Sequence, residues 1–366
     1  MLLLKKFVKS NVPIFTLVAL ALAAFSAASL ALSVFFTPVA DFFENIIGTP
    51  FRILTSAFTS FLGFSVFEVI LCLVLPLIIL IAVLAARKIR TKKQALRFAF
   101  GVIALPAFIF SGFVFSLGIP YHTRTLENKM ALPSVTLTAE NLAKTAIILR
   151  DNVNFLAEEL RLSEGSASSM KMSFSDLSTE LSDAYGAFAE KYGFPFNFYT
   201  RAKPLVFDEV MSRAHLLGIY TFFTGESNIN DGYPDYTVVN TVAHEFAHQR
   251  GIIREDEANF MAFAVCIGSD NPYIKYAGYL NMYEYVVSAL YDAEEQAFRT
   301  VHSGLSKAAL SDVRAYSEKA KQYRDTALGE VVGNVNDAYL QMNGTEGTVS
   351  YSLCVRLAVA YYHNLE

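Results

Sequence analysis

Residues Val238–His248, with the sequence VVNTVAHEFAH, determine how the rest of the chain is interpreted. The stretch predicts one helix, because apolar residues surround a short polar core. His244 and His248 are four residues apart, so both imidazoles leave the same side of that helix and can hold one metal ion. Glu245 is rotated about 100° around the helix axis, where a carboxylate can take a proton from a water at the metal. The stretch therefore predicts a zinc site suited to hydrolysis.

Two helix histidines with ordinary ion pairs are the alternative explanation of this motif. The chain has only 6 His, and two of them fall here in register. The flanking Val, Ala and Phe side chains would bury the polar residues without purpose if no metal were bound. Gly251 follows, and glycine is the usual residue for ending a helix in a left-handed turn. These features favour the metal site.

A third ligand is indicated by resemblance. The motif and the helix predicted after it resemble the gluzincin class of zinc peptidases, in which a Glu on the next helix completes the site. The sequence EDEAN at 255–259 is similar to the pattern of that class, with Asn259 where an Asp usually orients a zinc-bound His. The resemblance implies Glu255 as the third ligand and Asn259 as its supporting residue, and Glu257 stays as the alternative ligand. The metzincin pattern fails at Arg254, where its third His would stand.

The whole layout resembles a bacterial family of membrane proteins with three N-terminal spans followed by a gluzincin-like domain. Four motifs carry this resemblance: TGESNIN at 224–230, HEFAHQRG at 244–251, EDEANF at 255–260 and GTVSY at 347–351. The resemblance implies a mainly α membrane protein whose extracytoplasmic domain is α+β and zincin-like, with a small sheet. These motifs are typical of the family and say little about the substrate.

Three apolar stretches, 13–36, 61–86 and 98–118, predict transmembrane helices. Each is nearly free of charge and long enough to cross a hydrocarbon layer of roughly 30 Å. Lysines precede the first stretch, so a cleaved signal peptide is the alternative there, but its length favours a retained anchor. The chain is therefore divided into a membrane anchor, residues 1–118, and a metallopeptidase domain, residues 119–366.

Basic residues set the predicted orientation. The loop between the second and third spans reads RKIRTKK at 87–93 without an acid, and such loops stay in the cytoplasm. The N-terminus is then inside, and the domain after Gly118 is outside. Residues 1–118 hold ten Lys and Arg against three acids, a net charge of +7, so the whole chain's −4 leaves −11 for the rest. So acidic a domain argues against nucleic acid as a partner, whereas the basic loop fits contact with the anionic lipid of a bilayer.

A segment rich in aromatic and β-branched residues precedes the metal motif. Short strands are predicted at 203–207, 217–223 and 227–230. In zincin-like folds the edge strand of such a sheet pairs with an extended substrate, so the resemblance implies that Gly225, Glu226 and Asn228 line the cleft. The alternative is that these are ordinary polar residues of a turn.

Two further interpretations concern the helices after the motif. Tyr283 lies in the helical stretch 273–291, and its hydroxyl could donate to the oxyanion of a transition state. A tyrosine packed against the core is the commoner explanation. Cys266 and Cys354 could form a disulfide outside the cell, or they could be two buried thiols.

The sequence thus predicts a membrane-anchored zinc metallopeptidase that hydrolyses extracytoplasmic peptides or proteins. His244, His248 and Glu255 hold Zn²⁺, and Glu245 is the general base. The alternative is a zinc-bound, non-enzymatic sensor or interaction domain coupled to the spans. A structural zinc site would normally have four protein ligands and no use for Glu245, which favours the enzyme.

Overall fold

The computed structural model describes residues 11–342 and 351–363, and within them the chain is mostly helical. The first helices are α1 (Ile14–Phe35), α2 (Thr37–Phe43), α3 (Thr49–Ser60), α4 (Val66–Lys88) and α5 (Lys92–Phe113), and π-helical turns, Glu44–Gly48 and Val114–Gly118, continue α2 and α5. They are followed by α6 (Leu126–Lys129), α7 (Ala139–Glu159), α8 (Phe174–Tyr192), α9 (Asp208–Arg213), α10 (Asp235–Gln249), α11 (Glu255–Gly268), α12 (Pro272–Ala293), α13 (Glu295–His302), α14 (Lys307–Lys321), α15 (Ala327–Met342) and α16 (Tyr351–His363). The predicted motif at 347–351 lies outside the described residues, apart from Tyr351.

Three of the described helices are long and apolar enough to cross a membrane: Ile14–Phe35, Val66–Lys88 and, with its continuation, Lys92–His122. This confirms the predicted apolar spans and indicates a membrane protein. The second span begins at Val66 because the Ser65 hydroxyl caps it by accepting from the Glu68 main-chain N–H. The third begins six residues before the predicted 98, because Thr91 forms a capping box that starts the helix within the basic loop.

A small mixed sheet lies against the metal-motif helix. Its strands are β1 (Lys203–Pro204), β2 (Gly218–Thr221) and β3 (Glu226–Ile229), in the order β1–β3–β2. β1 runs parallel to β3, and β2 runs antiparallel to it. The predicted small sheet is therefore confirmed, with β3 as its central strand. β1 is shorter than the predicted 203–207, because the main-chain N–H groups of Val206 and Phe207 donate to the Glu68 carboxylate of α4 (3.1 and 2.9 Å).

The core of the C-terminal part surrounds α10, which carries the HEFAH motif. Val239, Val242, Ala243 and Phe246 of this helix are fully buried, and the helix packs against β2, β3, α11 and α12. The Tyr185 hydroxyl of α8 also donates to the main-chain oxygen of Ala243 (2.6 Å). This packing holds the helix on its apolar sides and fixes the direction in which its polar side chains point.

Two cysteines of this core were candidates for a disulfide. Cys266 and Cys354 are both free and buried. Burial raises the pKa of both thiols, because an apolar environment disfavours the thiolate. They are therefore two small buried side chains of the helical core in this structure.

The span-connecting helices are hydrogen-bonded to the end of α10. The Gln249 amide donates to the Ser56 hydroxyl (2.9 Å) and to the main-chain oxygen of Gly225 (2.5 Å). Gly251 has a left-handed φ of 87°, as predicted for a helix-ending glycine. A Cβ at this position would collide with the buried ion pair of Arg52 and Glu44. The helix that carries the motif is thus fixed directly to the membrane part of the chain.

Candidate metal site

His244, His248 and Glu255 converge at the junction of α10 and α11. The His244 Nε2 lies 3.2 Å from Glu255 Oε2, and the His248 Nε2 lies 3.5 Å from Glu255 Oε1. One ligand atom from each residue lies within 4.8 Å of the others. The spacing of the two histidines along α10 and the turn at Gly251 bring the three residues together.

The donor set fits a zinc ion. In a tetrahedral site with bonds of about 2.0–2.1 Å, neighbouring ligand atoms stand roughly 3.3 Å apart, close to the two distances between imidazole and carboxylate. The His248 Nδ1 is 2.8 Å from the main-chain oxygen of Ile252, so this ring can present its Nε2 to a metal. Asn259, the predicted supporting residue, lies one helical turn beyond Glu255 and lines the same cavity.

Glu255 and Glu257 were both candidates for the third metal ligand, and the structure gives them different partners. Glu257 points away from the histidines, and its Oε1 accepts from the main-chain N–H of Leu126 (2.8 Å) and from Arg254 (3.4 Å). Arg254, where a metzincin would have its third His, also donates to the main-chain oxygen of Tyr121 (2.8 Å). Glu255 alone of this pair belongs to the candidate metal site.

Substituting these two glutamates separately should distinguish a ligand from its neighbour. We expect Glu255→Gln to weaken zinc binding by at least about 100-fold, because losing a ligand costs more than losing a supporting residue, which costs roughly 10–100-fold. Glu257→Gln is the control, since its amide oxygen can still accept from Leu126. Zinc content of both purified full-length variants after dialysis against a zinc buffer is the measurement. Equal zinc loss in the two variants would contradict the assignment.

Charge coupling within the site favours an ionised Glu255. Although burial opposes ionisation, His248 and His244 hold the pKa of Glu255 well below its usual range. Burial alone would lower the pKa of His248, but Glu255 outweighs it and raises that pKa to about 9. A metal ion that binds here replaces the imidazole proton, so binding releases a proton.

Glu245 stands beside the triad with an unpaired oxygen. Its side chain is 5% exposed, and its Oε2 is buried without a hydrogen-bond partner among the described residues. Burial raises the pKa of Glu245, and the positive charge of His248 and His244 opposes that shift. Buried polar atoms are rarely left unpaired without a reason. A free carboxylate oxygen next to a metal site is what a proton acceptor for an attacking water requires.

The edge strand β2 is held close to Glu245. Gly218 makes this possible, because a Cβ there would lie 2.7 Å from Glu245 Oε1 and 2.7 Å from the Thr241 side chain. The main-chain N–H of Tyr220 is directed at the same carboxylate and acts to lower its pKa, against the larger effect of burial. Strand and general-base candidate therefore form one wall of the site.

A cavity of about 700 Å³ opens over this wall. Its lining includes the triad, Glu245 and Asn259, Tyr285 of α12, and residues of three further regions. These are the edge strand, with Gly218, Ile219 and Tyr220; helix α15, with Gly329, Val332, Gly333 and Val335; and the C-terminal part of the third span, with Phe113 and Leu117. The cavity can hold a segment of polypeptide with its main chain beside the candidate metal site.

The structure does not bring Gly225, Glu226 and Asn228 to this cavity. β3 is the central strand, so the predicted role at the cleft edge falls to β2. The Glu226 carboxylate instead accepts from the main-chain N–H groups of Val66 and Phe67 at the start of the second span (both 2.9 Å).

The other two residues, Gly225 and Asn228, also contact the membrane part. The Asn228 side-chain oxygen accepts from the Ser65 hydroxyl (2.6 Å). The Gly225 main-chain oxygen accepts from the Ser56 hydroxyl (3.0 Å), and a Cβ on Gly225 would collide with Thr55 and Ser56. The polar residues of this motif join the domain to its spans.

Tyr283 also lies away from the triad. Its hydroxyl is 3.2 Å from His302 Nδ1, and its side chain lines a second, smaller cavity together with Glu284 and Phe298. Only 1% of Tyr283 is exposed, so it is a core tyrosine with its hydroxyl paired, which was the commoner explanation. Tyr220 of β2 and Tyr285, two residues further along α12, line the metal-site cavity.

The fold and site define a membrane protein with a candidate three-residue metal centre beside its spans. Residues 43–359 match the family described as Protein of unknown function (DUF3810), and the chain belongs to that family. No curated protein and no solved structure matches the chain. The family description assigns no activity, so the function is argued from the site itself.

Proposed function

We propose that the chain is a membrane-anchored, zinc-dependent peptidase of the gluzincin kind, with a zincin-like domain. The observation that carries this proposal is the pairing of His244, His248 and Glu255 with a buried, unpaired Glu245 oxygen in one cavity. Three protein ligands leave a coordination position open, which is typical of catalytic and not of structural zinc. Glu245 has no evident purpose in a structural site.

Each residue has a defined task in this proposal. His244, His248 and Glu255 hold the zinc. When bound, the zinc would polarise the carbonyl of the scissile peptide bond and lower the pKa of the water that it holds. Glu245 takes the proton of the attacking water and passes it to the leaving amine. The edge strand β2 offers main-chain groups along which an extended peptide can lie, close to Glu245.

The domain is proposed to work outside the cytoplasm. The loop at 87–93 between the second and third spans is basic, and basic loops stay on the cytoplasmic side. In this proposal the third span crosses the cell membrane, so the chain after Gly118 lies on the opposite side from the basic loop. The substrates in this arrangement are extracytoplasmic peptides or proteins, and the net negative charge of the domain speaks against nucleic acid.

A zinc-bound sensor coupled to the spans is the second candidate. The observation that favours it is the direct connection between the metal helix and the membrane part, where Gln249 donates to Ser56. A change at the metal site could be transmitted through this bond to the spans. The unpaired oxygen of Glu245 favours the peptidase.

Metal content and hydrolysis of the full-length protein test the proposal. We expect one zinc per chain and cleavage of a broad peptide library, with both lost on treatment with a zinc chelator because the proposed ligands hold the metal that activates the water. A hydroxamate, which binds an open zinc position, should inhibit. Zinc with hydroxamate binding but no cleavage would favour the sensor, whereas a chain without metal would overturn both candidates.

A further inference from the structure

The edge strand of the cavity leads directly to the membrane spans. β2 begins at Gly218, beside Glu245, and ends at Thr221. The next residue, Phe222, packs against Phe113 of the third span, with ring centroids 6.1 Å apart. A polypeptide that follows β2 away from the candidate metal site therefore reaches the spans.

The turn after β2 packs against the ends of the second and third spans. A Cβ on Gly112 of the third span would lie 3.2 Å from the Phe222 ring. Phe223 packs against Phe67 of the second span at 6.1 Å between ring centroids and stays 45% exposed. An exposed phenylalanine between the ends of two spans is placed where a bilayer would cover it.

More exposed apolar side chains lie near the start of the second span and at the cavity. Val206 is 80% exposed, and Phe207 is 46% exposed, although their main-chain N–H groups donate to Glu68 at the start of the second span. On helix α15, Val331 and Val335 are 59% and 66% exposed, and Val335 also lines the cavity. The cavity rim is thus apolar on the side of α15 as well as at Phe113 and Leu117 of the third span.

We propose that the cavity opens at the bilayer surface and receives polypeptides that are themselves anchored in the membrane, cutting them in the stretch next to the anchor. This inference rests on the proposed peptidase function and adds the substrate class. The continuity of the cavity wall with the third span identifies the bilayer as the side from which the chain enters. The exposed valines of α15 match an apolar segment better than a charged one.

The geometry also sets where the cut falls. Gly218 and Phe222 are four residues apart, and an extended strand rises about 3.3 Å per residue, so the candidate metal site is about 13 Å along the chain from the spans. An anchored polypeptide lying along β2 needs a similar number of residues to cover this distance. Cleavage is expected about four residues from the membrane anchor.

A peptide library attached to a bilayer tests this inference. The full-length protein is reconstituted in phosphatidylcholine vesicles with a randomised peptide library that carries a terminal palmitoyl group, and with the same library without it. We expect cuts to cluster at a fixed distance from the palmitoyl group, whatever the local sequence. Attachment to the vesicle raises the local concentration of the whole peptide, so faster cleavage alone would not support the inference. The distance of the cut from the palmitoyl group is therefore the decisive measurement.

Each result has a distinct meaning. Cuts that follow a sequence preference at any distance, with equal cleavage of the free library, would overturn the inference and leave the peptidase standing. No cleavage of either library would remove the peptidase proposal, and the substrate class with it. A fixed distance from the palmitoyl group supports both.

A second measurement locates the cavity rim without using activity. The sequence contains no Trp, so a single Trp at the rim, Val335→Trp, can be excited selectively. We expect brominated phosphatidylcholine to quench it strongly in vesicles. Tyr291→Trp, on an exposed position of α12, is the matched control and should be quenched by aqueous acrylamide alone. Equal quenching of the two variants by the brominated lipid, or by acrylamide only, would overturn the placement of the rim at the bilayer.

Discussion

Replacing Glu245 with Gln is expected to abolish peptide hydrolysis while one metal ion per chain remains bound. The amide has the shape of the carboxylate but cannot accept the proton of the attacking water. Loss of a general base costs about 10²–10⁴ in rate, so residual cleavage should fall to about 1% or below. Zinc content and cleavage of the same library by the full-length variant are the two measurements.

The variant also separates catalysis from folding. Burial raises the pKa of Glu245 in the metal-free chain, so the fold without metal disfavours its ionised form and should tolerate a neutral amide. We expect the metal-free Glu245→Gln protein to melt at or above the temperature of the metal-free parent. Full hydrolysis by a zinc-loaded Glu245→Gln protein would exclude Glu245 as the base and would mean that another group takes the proton of the attacking water.

The local part of the site could be predicted from the sequence. His244, Glu245 and His248 follow from the fixed periodicity of a helix, and Gly251 follows from the backbone freedom of glycine. The resemblance also ranked Glu255 before Glu257. The structure places Glu255 at the histidines because the turn at Gly251 lets the next helix begin beside the end of α10.

The long-range part of the site could not be predicted in this way. Glu226 looked like a cleft residue because it stands shortly before the motif, yet its partners Val66 and Phe67 are 160 and 159 residues away in sequence. No local pattern encodes such a pairing. The order of the strands poses the same problem, because two short strands in succession do not show which one lies at the edge.

The cavity rim illustrates a further limit. The apolar residues Phe113 and Leu117 are identical in character to their neighbours in the third span, so nothing in the sequence marks them as lining a site. Gly218 is the residue whose sequence context could have indicated that β2 approaches the candidate site. An isolated glycine in a predicted strand often marks a close approach of the backbone to another group, and here that group is Glu245.

A large loss of stability is expected when the buried ion pair of Arg52 and Glu44 is broken. This pair joins the spans to the metal-motif helix. Arg52 is 1% exposed and pairs with Glu44, which also accepts from the Thr49 hydroxyl (2.9 Å). The Arg52 guanidinium donates to the main-chain oxygen of Ser116 as well (3.3 Å). Because this pair packs against Gly251, directly after the metal-motif helix, it connects the first loop, the third span and the candidate site.

Substituting Arg52 with Ala should therefore destabilise the protein strongly. Removing one partner leaves the Glu44 carboxylate buried and uncompensated, which costs about 3–5 kcal/mol in the free energy of unfolding. Thermal unfolding of the full-length protein in detergent is the measurement, and zinc affinity should fall with it because the end of α10 loses its support. The exposed ion pair of Arg299 and Glu295 provides the control, since Arg299→Ala should cost at most about 1 kcal/mol.

A double variant decides whether the charge pairing itself is responsible. Arg52→Met together with Glu44→Gln removes both charges and keeps similar volumes, and replacing a buried pair in this way is often neutral. Recovery of the melting temperature in the double variant would show that the unpaired carboxylate caused the loss. If Arg52→Ala alone melted like the parent, the ion pair would not hold the metal helix to the spans.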